Sequence, residues 1–479
     1  MAGSPSLLPW IGGSPVDVDH FDDLIEPYRG ELVARVGTSD EGVVARAVEA
    51  AHAAGPLMAA MPVHERARLL RAAAELLEAR QEGLARAITA ATGKVISHTR
   101  RETARSPWTS RAAASAAETL TTTTPPPDLI PGGERVHSIA LRCPVGVVAA
   151  ITPFNAPLNL VLHKVAPALA GGNTVVVKPA PQAPGPAIEL AELLTEVGFP
   201  PGAVNVVPGG AATGQALLAQ DRVALVSFTG GAPAGRAIRA AAGLRPVLLE
   251  LGGNSANIVH HDADVQLALD QIVRGGFSNN GQSCNSVQRV LVADSLYEEF
   301  SERLAERASE LVLGDPMDPK TDIGPLISSS AAERVHEHIR EAASRGATIR
   351  TGGGRHDAVI EPTVMSAVDP TLRLYCDELF APVVLTEPYR TLDQAITQAN
   401  RTRYGLQVAI FTRSIDVATE AYTALRAGSV VVNRSSNFRL DQLPYGGVDE
   451  SGSGREGPLY AAEAMTYLKT MVIAPPPGR

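Results

Sequence analysis

The segment from residue 145 to residue 231 alternates between short apolar runs and helical stretches, and this alternation constrains the fold most. The apolar runs are "VGVVAAI", "TVVVKPA", "VNVVPGG" and "VALVSFTGG", separated by stretches such as "LNLVLHKVAPALAGG" and "GPAIELAELLTEVG". Short strands that alternate with helices form βαβ units around a parallel sheet. Because such crossovers are right-handed, we expect helices on both faces of this sheet.

A second α/β series is predicted from about residue 254 to residue 433. The chain of 479 residues is also too long for a single hydrophobic core. The predicted fold class is therefore α/β, with two open α/β domains. Further predicted elements are helices over 40–92, 263–275, 295–312 and 329–345, strands at 288–293, 383–389, 406–412 and 429–433, and an exposed proline-rich connection at 121–127.

The composition excludes several classes of protein. The net charge is −9 with a pI of about 5.7 and no basic stripe, which argues against a nucleic-acid partner. Cys143, Cys284 and Cys376 are too far apart for a metal-ligand motif and suit a reducing compartment. No signal peptide is visible, and no apolar run reaches the ~18 residues that span a bilayer. We therefore expect a cytoplasmic protein without a resident metal.

Two strand ends have features of a ligand site. In "VSFTGGAPAG", the strand ends at Phe228, and Thr229, Gly230 and Gly231 lead into a helix whose free N–H groups could face an anion. In "VVVKPAP", Lys178 closes a buried strand, where open α/β sheets bind ligands. The alternatives, an ordinary βα turn and a solvated lysine, remain open at this point.

Glu250 and Asn155 are candidates for catalysis. Glu250 lies within the apolar run of "LLELGGNSANIV", where desolvation would raise its pKa and suit it to activate water. Asn155, between two prolines in "TPFNAP", could hold an amide donor where negative charge develops. A glutamate that caps a helix or pairs with an arginine, and a turn-forming asparagine, are the structural alternatives.

Cys284 lies in the polar segment "NNGQSCNS". A structural cysteine is normally found among apolar neighbours, as Cys143 and Cys376 are in this sequence. Gly281 permits a tight backbone approach, and the polar neighbours suit a reactive thiol. The local sequence therefore favours a functional cysteine over a structural one.

Taken together, these segments resemble the aldehyde dehydrogenase superfamily. The resemblance runs from "IEPYRGELVARV" at 25–36 to "EAMTYLKTMVI" at 463–473. The motifs that carry it are "TPFNAPL", "GGNTVVVKPA", "GFPPGAVNVVPG", "SFTGG", "LELGGNSANIV", "NNGQSC", "DELFAPV", "GSVVVN" and "PYGGVDESGSGREG".

The resemblance implies NAD(P)-dependent oxidation of an aldehyde to its acid. Cys284 would attack the carbonyl, Asn155 and the Cys284 N–H would hold the oxyanion, and Glu250 would activate the water that hydrolyses the thioester. Lys178 would bind the adenosine ribose, while Glu378 and Phe380 would position the nicotinamide ribose and ring. The other residues implied to contact NAD or NADP are Thr152, Pro153, Phe154, Gly209, Phe228, Thr229, Gly230, Gly231, Leu251 and Gly252.

The resemblance also implies a division of the chain and an assembly. Residues 1–123 and 143–252 would form the cofactor domain, 253–445 the catalytic domain, and 124–142 with 446–479 the oligomerisation extension and C-terminal segment. The expected partners are a small aldehyde and other copies of the chain, in a homodimer or homotetramer, with neither nucleic acid nor membrane.

Several departures from the family pattern bear on specificity. Pro181 replaces a glutamate that often contacts the ribose, which leaves NAD or NADP open; Gly231 replaces a serine and Ala381 a glycine. Ser283 stands where relatives of anionic aldehydes often have an arginine. The predicted substrate contacts are Arg105, Trp108, Ser283, Asn285 and Arg439, although both arginines could equally be structural ion-pair partners.

Three rival functions fit parts of the sequence. A CoA-acylating relative commonly lacks the water-activating glutamate, and a reductase of acyl phosphates would not need it, whereas Glu250 is present. An inactive binding or structural protein on this scaffold would be expected to have lost Cys284, Asn155 or Glu250. The expected substrate is a small hydroxylated or anionic aldehyde.

Overall fold

The computed structural model describes residues 5–122 and 124–474. Its helices, α1 to α15, are Glu41–Ala60, Val63–Ala79, Gln81–Thr92, Ile96–Thr119, Asn159–Ala170, Gly185–Glu196, Ala211–Leu218, Ala232–Ala241, Val265–Phe277, Tyr297–Ser309, Ser329–Ser344, Arg373–Cys376, Leu392–Ala399, Ile415–Ala424 and Pro458–Ala464. Its strands, β1 to β24, are Ser6–Leu7, Trp10–Ile11, Ser14–Pro15, Phe21–Ile25, Leu32–Gly37, His137–Pro144, Val147–Ile151, Thr174–Lys178, Val204–Val206, Val223–Thr229, Val247–Glu250, Ser255–Val259, Val287–Ala293, Thr348–Thr351, Arg355–His356, Val359–Ile360, Thr363–Ser366, Val383–Tyr389, Tyr404–Gly405, Gln407–Phe411, Ser429–Val432, Val448–Asp449, Gly452–Ser453 and Thr466–Ile473. Within these residues, every helix is too short or too polar to cross a membrane.

The first large sheet has the strand order β23-β11-β10-β7-β8-β9-β2-β3. Its five central strands, β7 to β11, are all parallel to one another. Along β7, Val148 and Ala150 pack into one hydrophobic cluster, with α2 to α6, while Val147 and Ala149 pack into another, with α1, α7 and α8. Side chains of a strand alternate between the two faces, so helices cover both sides, as the alternation of the sequence predicts.

The second large sheet has the order β14-β17-β18-β13-β12-β20-β21. Only the edge strand β14 is antiparallel to its neighbour within this sheet. Separately, β6 pairs antiparallel along its whole length with β24 in a two-stranded ribbon. The two parallel sheets confirm the α/β fold class.

The carboxyl edge of the first sheet collects the predicted ligand-binding side chains. Lys178 ends β8, Thr229 ends β10 and Glu250 ends β11, while Asn155 follows β7 by four residues. Parallel strands bring their carboxyl ends to one edge, which is where open α/β sheets bind ligands.

The observed elements agree closely with the predicted ones, with a few exceptions. The predicted helices at 263–275, 295–312 and 329–345 are α9 to α11, and the strand at 383–389 is β18. The short N-terminal strands were not predicted, and α4 was expected only as a helix around Arg105 to Trp108. Within 446–479, β23 joins the first large sheet beside β11 instead of the ribbon. In the connection at 121–127, residues 124–126 are irregular and exposed, whereas residue 123 lies outside the described residues.

Arg289 in β13 is completely buried and connects the second sheet to α13. Its guanidinium donates to the carbonyl oxygens of Gln398 at 2.8 Å and Ala399 at 2.9 Å, and to Asn254 Oδ1 at 2.5 Å. The last carbonyl groups of a helix have no partner within that helix, so Arg289 satisfies two of them.

We predict that Arg289→Met lowers the melting temperature by several degrees. The variant removes the donors of the buried Ala399 carbonyl and of Asn254 Oδ1, whereas the Gln398 carbonyl keeps a backbone N–H donor. This loss costs about 3 kcal/mol. The exposed Arg340 of α11 provides the control, because Arg340→Met removes a charge without removing a buried donor. Equal melting temperatures for the two variants in a calorimetric scan would contradict this role for Arg289.

Candidate active site

The turn before Cys284 has an unusual backbone that its sequence explains. Asn279, Asn280 and Gly281 have φ values of 55°, 55° and 70°, in the left-handed region that asparagine and glycine tolerate best. A Cβ on Gly281 would lie 2.0 Å from the Ala381 carbonyl oxygen, so only glycine fits there. The Asn280 side chain donates to the Pro325 carbonyl at 2.8 Å and accepts from the Gly324 N–H at 2.8 Å. The segment is thus locked against its surroundings.

Cys284 follows this turn, and its thiol contacts a buried tyrosine. Its Sγ lies 3.1 Å from the Tyr445 hydroxyl. Burial raises the pKa of the Cys284 thiol to about 12, and the hydrogen bond with Tyr445 opposes that rise. The polar sequence around Cys284 suggested a setting that favours thiolate, whereas the half-buried thiol has a raised pKa. A protonated thiol is therefore the resting form.

Asn155 lies beside the nucleophile, held by a buried ion pair. Its Nδ2 donates to the Gln282 carbonyl at 3.0 Å, and its Oδ1 is buried without a hydrogen-bond partner in the part of the chain that the structure describes. Lys94 bonds to the Asn155 carbonyl at 3.0 Å and to Glu102 at 2.6 Å, while Glu102 accepts from the Leu158 N–H at 3.0 Å. The Lys94–Glu102 pair thus fixes the loop that carries the predicted oxyanion donor.

Glu250 is 4% exposed, and neither carboxylate oxygen has a hydrogen-bond partner among the described residues. Burial, followed by the negative charge of Glu456, raises the pKa of Glu250 well above its usual range. Glu456 has two cations beside it, Lys164 at 3.3 Å and Arg439 at 2.9 Å. Although burial acts in the opposite direction, these cations lower the pKa of Glu456 to about 2. The pair therefore contains one carboxylate whose charged form is favoured, Glu456, and one whose charged form is disfavoured, Glu250.

Two cavities meet at Cys284. The wide cavity, of about 560 Å³, contains Lys94, Arg101, Arg274 and Arg434 in its wall, and the narrow cavity, of about 210 Å³, contains Glu250 and Gly252. Both are lined by Asn155, Leu160, Cys284, Arg439 and Tyr445. A molecule that enters from either side therefore reaches the same thiol.

The narrow cavity has the features that a dinucleotide needs. Gly230 and Gly231 line it where they precede α8, and although the Gly230 N–H donates to the Glu250 carbonyl at 3.1 Å, the N–H groups at the start of the helix are available to a phosphate. A Cβ on Gly252 would lie 2.1 Å from the Glu378 carboxylate, so a side chain there would collide with that group. The Phe380 ring meets the Phe154 ring edge-on at 5.8 Å. The glycines keep this wall open for a flat ring and a phosphate.

Two ionisable groups of the predicted cofactor site are also desolvated. Burial raises the pKa of Glu378 to about 7, against the hydrogen bond it accepts from the Gly253 N–H. Burial lowers the pKa of Lys178 to about 8, and its ammonium donates to the Pro179 carbonyl at 3.0 Å. Both groups lack an ion-pair partner among the described residues, as expected of groups that bind a polar ligand.

Comparison with known proteins identifies the family. The family model "Aldehyde dehydrogenase family" matches residues 17–471. The chain belongs to the aldehyde dehydrogenase family. It is 41% identical over 452 residues to a 3-sulfolactaldehyde dehydrogenase of Priestia aryabhattai, covering 94% of both chains. This aldehyde dehydrogenase is therefore an oxidoreductase that acts on aldehydes.

Solved structures agree with this assignment. Aldehyde dehydrogenase 21 from Physcomitrella patens, in complex with the reaction product succinate, matches with a TM-score of 0.97 at 35% identity over 100% of both chains. A glyceraldehyde-3-phosphate dehydrogenase from Methanocaldococcus jannaschii complexed with NADP matches with a TM-score of 0.91 at 36% identity, over 95% of this chain and 100% of the other. A betaine aldehyde dehydrogenase from Staphylococcus aureus in complex with NAD+ matches with a TM-score of 0.92 at 33% identity, over 98% and 94%.

The predicted site residues of this aldehyde dehydrogenase fall into three groups. The narrow cavity is lined by Pro153, Phe154, Thr229, Gly230, Gly231, Leu251, Gly252, Glu378 and Phe380, and the wide cavity by Arg105, Ser283 and Asn285. Thr152, Lys178, Gly209 and Phe228 lie in neither wall, although all four are buried.

Three predicted substrate contacts have other partners. Trp108 is 65% exposed, lies outside both walls and stacks under the Arg111 guanidinium at 5.1 Å. Arg105 binds Asp441 at 2.6 Å, and Arg439 binds Glu456. The arginines thus form the ion pairs that the sequence left open as their alternative role.

Five residues of the site were not predicted from the sequence: Lys94, Glu102, Lys164, Tyr445 and Glu456. Lys164 gave one signal, because a charged residue within the apolar helix "LNLVLHKVAPALA" requires a buried partner. That partner, Glu456, is separated from it by 292 positions, so only the fold reveals the pair.

We predict that Tyr445→Phe slows alkylation of Cys284 by iodoacetamide about tenfold at pH 8 to 9. The substitution keeps the ring, over which the Arg439 guanidinium lies at 4.0 Å, and removes the hydroxyl that stabilises the thiolate. Loss of one hydrogen bond to a charged group corresponds to roughly one pKa unit or more. Tyr422→Phe, at a residue 71% exposed, is the control. Unchanged inactivation kinetics in Tyr445→Phe would refute this role.

Proposed function

We propose that this protein oxidises an aldehyde to the carboxylic acid through a thioester on Cys284. The observation that carries the proposal is the position of Cys284 where the two cavities meet, with Asn155 and Glu250 in the wall of the narrow one. One cavity can hold the substrate and the other the cofactor, with the nucleophile between them. The cofactor is NAD or NADP, which supplies a hydride acceptor when bound.

In the first half-reaction, the Cys284 thiolate adds to the aldehyde carbonyl and forms a thiohemiacetal. The negative charge develops on the former carbonyl oxygen. Asn155 Nδ2 already points at the main chain of this segment, and an amide N–H held by its loop stabilises such charge without reorganisation. Tyr445 donates to the sulfur and so favours the thiolate. Loss of hydride from the carbon then leaves a thioester.

In the second half-reaction, Glu250 takes a proton from a water molecule that attacks the thioester. The carbon–sulfur bond breaks, the acid leaves and the thiol is restored. A base must be unprotonated, and the pKa of Glu250 is raised, so the rate of this step increases as the pH rises through that pKa. The unpartnered oxygens of Glu250 support hydrolysis over transfer of the acyl group to CoA.

The assembly and the domain roles are also part of this proposal. We assign the first large sheet to cofactor binding, the second to the nucleophile and the ribbon of β6 and β24 to homo-oligomer formation. The ribbon carries exposed apolar side chains that a second copy would cover: Ile139, Leu141, Leu468, Met471, Val472 and Ile473. The three free cysteines fit a reducing cytoplasm.

NADP is the cofactor that Pro181 favours. The exposed Pro181 follows Lys178 by three residues, and burial alone lowers the pKa of that lysine, without a contribution from a carboxylate. Without a negative charge at position 181, the site neither repels a 2′-phosphate nor offers an acceptor to a free 2′-hydroxyl. We therefore propose that NADP is used at least as well as NAD.

We predict that Glu250→Gln produces a burst of about one NAD(P)H per site, followed by turnover about a hundredfold slower. The amide cannot take a proton from water, so the thioester accumulates, and general-base catalysis is worth about this factor. The increase of native turnover with pH disappears in this variant. Stopped-flow absorbance measures the burst. The controls are Cys284→Ser, which gives no burst, and Glu302→Gln at an exposed position, which behaves as the native enzyme. Native steady-state turnover in Glu250→Gln would exclude Glu250 as the base.

We predict that Pro181→Glu raises the KM for NADP at least tenfold and lowers the KM for NAD. The new carboxylate repels a 2′-phosphate and accepts a hydrogen bond from a 2′-hydroxyl. Gln182→Glu introduces the same charge at the next exposed position and is the matched control. If the two variants have the same preference between the cofactors, position 181 does not control the choice.

A further inference from the structure

Three cations of the wide cavity already have their own carboxylates. Lys94 binds Glu102 at 2.6 Å, Arg105 binds Asp441 at 2.6 Å, and Arg439 binds Glu456 at 2.9 Å. Glu102 is the only carboxylate in this wall, within the part of the chain that the structure describes. In each pair a carboxylate offsets the charge of the cation, although Glu456 also faces Lys164.

Three further arginines in the same wall have no acid partner. Arg101 comes from α4, Arg274 from α9 and Arg434 from the loop that follows β21. Neither a salt bridge nor a bond to a carboxylate involves any of them across residues 5–122 and 124–474. Arg101 donates to the Ser97 carbonyl at 3.3 Å, and that is a neutral acceptor. The cavity therefore carries three uncompensated positive charges.

Arg101 and Arg274 are close enough to affect each other and their neighbour His98. Burial lowers the pKa of Arg101, and the charge of Arg274 lowers it further. The pKa of His98 is lowered well below its usual range by burial, then by Arg101, Lys94 and Arg274. His98 is therefore neutral at physiological pH, and its Nδ1 accepts from the Asn279 N–H at 2.8 Å. Because Lys94 is paired with Glu102, the positive charge that no carboxylate offsets in this region belongs to the arginines.

We propose that Arg101, Arg274 and Arg434 form an anion subsite that binds a carboxylate or sulfonate at the end of the aldehyde distant from its carbonyl. This inference rests on the proposed function, because it requires the carbonyl to lie at Cys284. It reassigns anion binding from Arg105 and Arg439, whose charges are neutralised, to three arginines from separate elements. It also explains how Ser283 can stand beside the nucleophile in place of an arginine.

The chemistry of guanidinium suits this task. Its planar fork binds two oxygens of one oxyanion, and it remains charged at every physiological pH. Arg101, Arg274 and Arg434 line one cavity of about 560 Å³, and Arg101 lies near enough to Arg274 for its pKa to be lowered by that charge. All three residues are exposed to water, so an uncharged aldehyde leaves them hydrated. The subsite therefore selects by added attraction and does not exclude neutral aldehydes.

The test compares aldehydes matched in size but not in charge. 4-Oxobutanoate is compared with butanal, and 2-oxoethanesulfonate with propanal, in the full-length native enzyme and in Arg101→Gln, Arg274→Gln and Arg434→Gln. We expect the native enzyme to prefer the charged member of at least one pair in kcat/KM. Each variant lowers this preference about three- to tenfold through the KM of the charged aldehyde, and Arg274→Lys retains more of it than Arg274→Gln.

The controls separate the subsite from a general loss of surface charge. Arg340→Gln, on the exposed face of α11, changes neither preference. Raising the ionic strength weakens the native preference more than that of Arg274→Gln, because screening acts on the charges that remain. The pair with the larger ratio identifies carboxylate or sulfonate as the natural group.

The two hypotheses fail in different ways. A native enzyme that oxidises the two members of each pair equally well, or variants that keep the native preference, would overturn the anion subsite alone. Absence of NAD(P)H formation with all four aldehydes would overturn the proposed function. Calorimetric titration with succinate then tests the subsite separately, since the native protein should bind it and Arg274→Gln should bind it about tenfold more weakly. Equal binding by both proteins contradicts the subsite.

Discussion

The buried contact of Glu456 with Lys164 and Arg439 organises the catalytic centre. Lys164 lies in α5, Arg439 in the loop after β21 and Glu456 in the segment before α15, so one ionic cluster joins three distant parts of the chain. Removing one partner would leave an uncompensated buried charge, which typically costs 3–5 kcal/mol. The cluster therefore fixes the relative positions of these segments.

The same cluster determines how Glu250 behaves. Glu250 lies at the end of a buried strand, and the ionised Glu456 nearby adds repulsion to the cost of burying a second negative charge. Two carboxylates close together in an apolar environment titrate far apart, so one is an ion and the other a potential base. Burial of Glu250 at the end of β11 and the two cations beside Glu456 maintain this difference between the two pKa values.

The sequence predicted the sheets and the main reacting groups well, because both produce local patterns. The β-branched runs predicted β7, β8 and β10, and the segments around Cys284, Glu250 and Asn155 contain their own glycines and prolines. Groups defined by distant contacts had no local signature. Tyr445 has no feature that indicates its contact with a residue 161 positions away. The charge of Arg105 is offset by Asp441, which lies 336 positions away in the sequence. The polar neighbours of Cys284 also gave no indication that its thiol is desolvated enough to have a raised pKa.

The raised pKa of the Cys284 thiol has a chemical consequence for the protein at rest. Peroxide and other oxidants attack the thiolate, and each step from sulfenic to sulfonic acid begins with that form. Because burial raises the pKa of Cys284 to about 12, very little thiolate exists near neutral pH. The resting thiol is therefore the form that reacts less readily with oxidants.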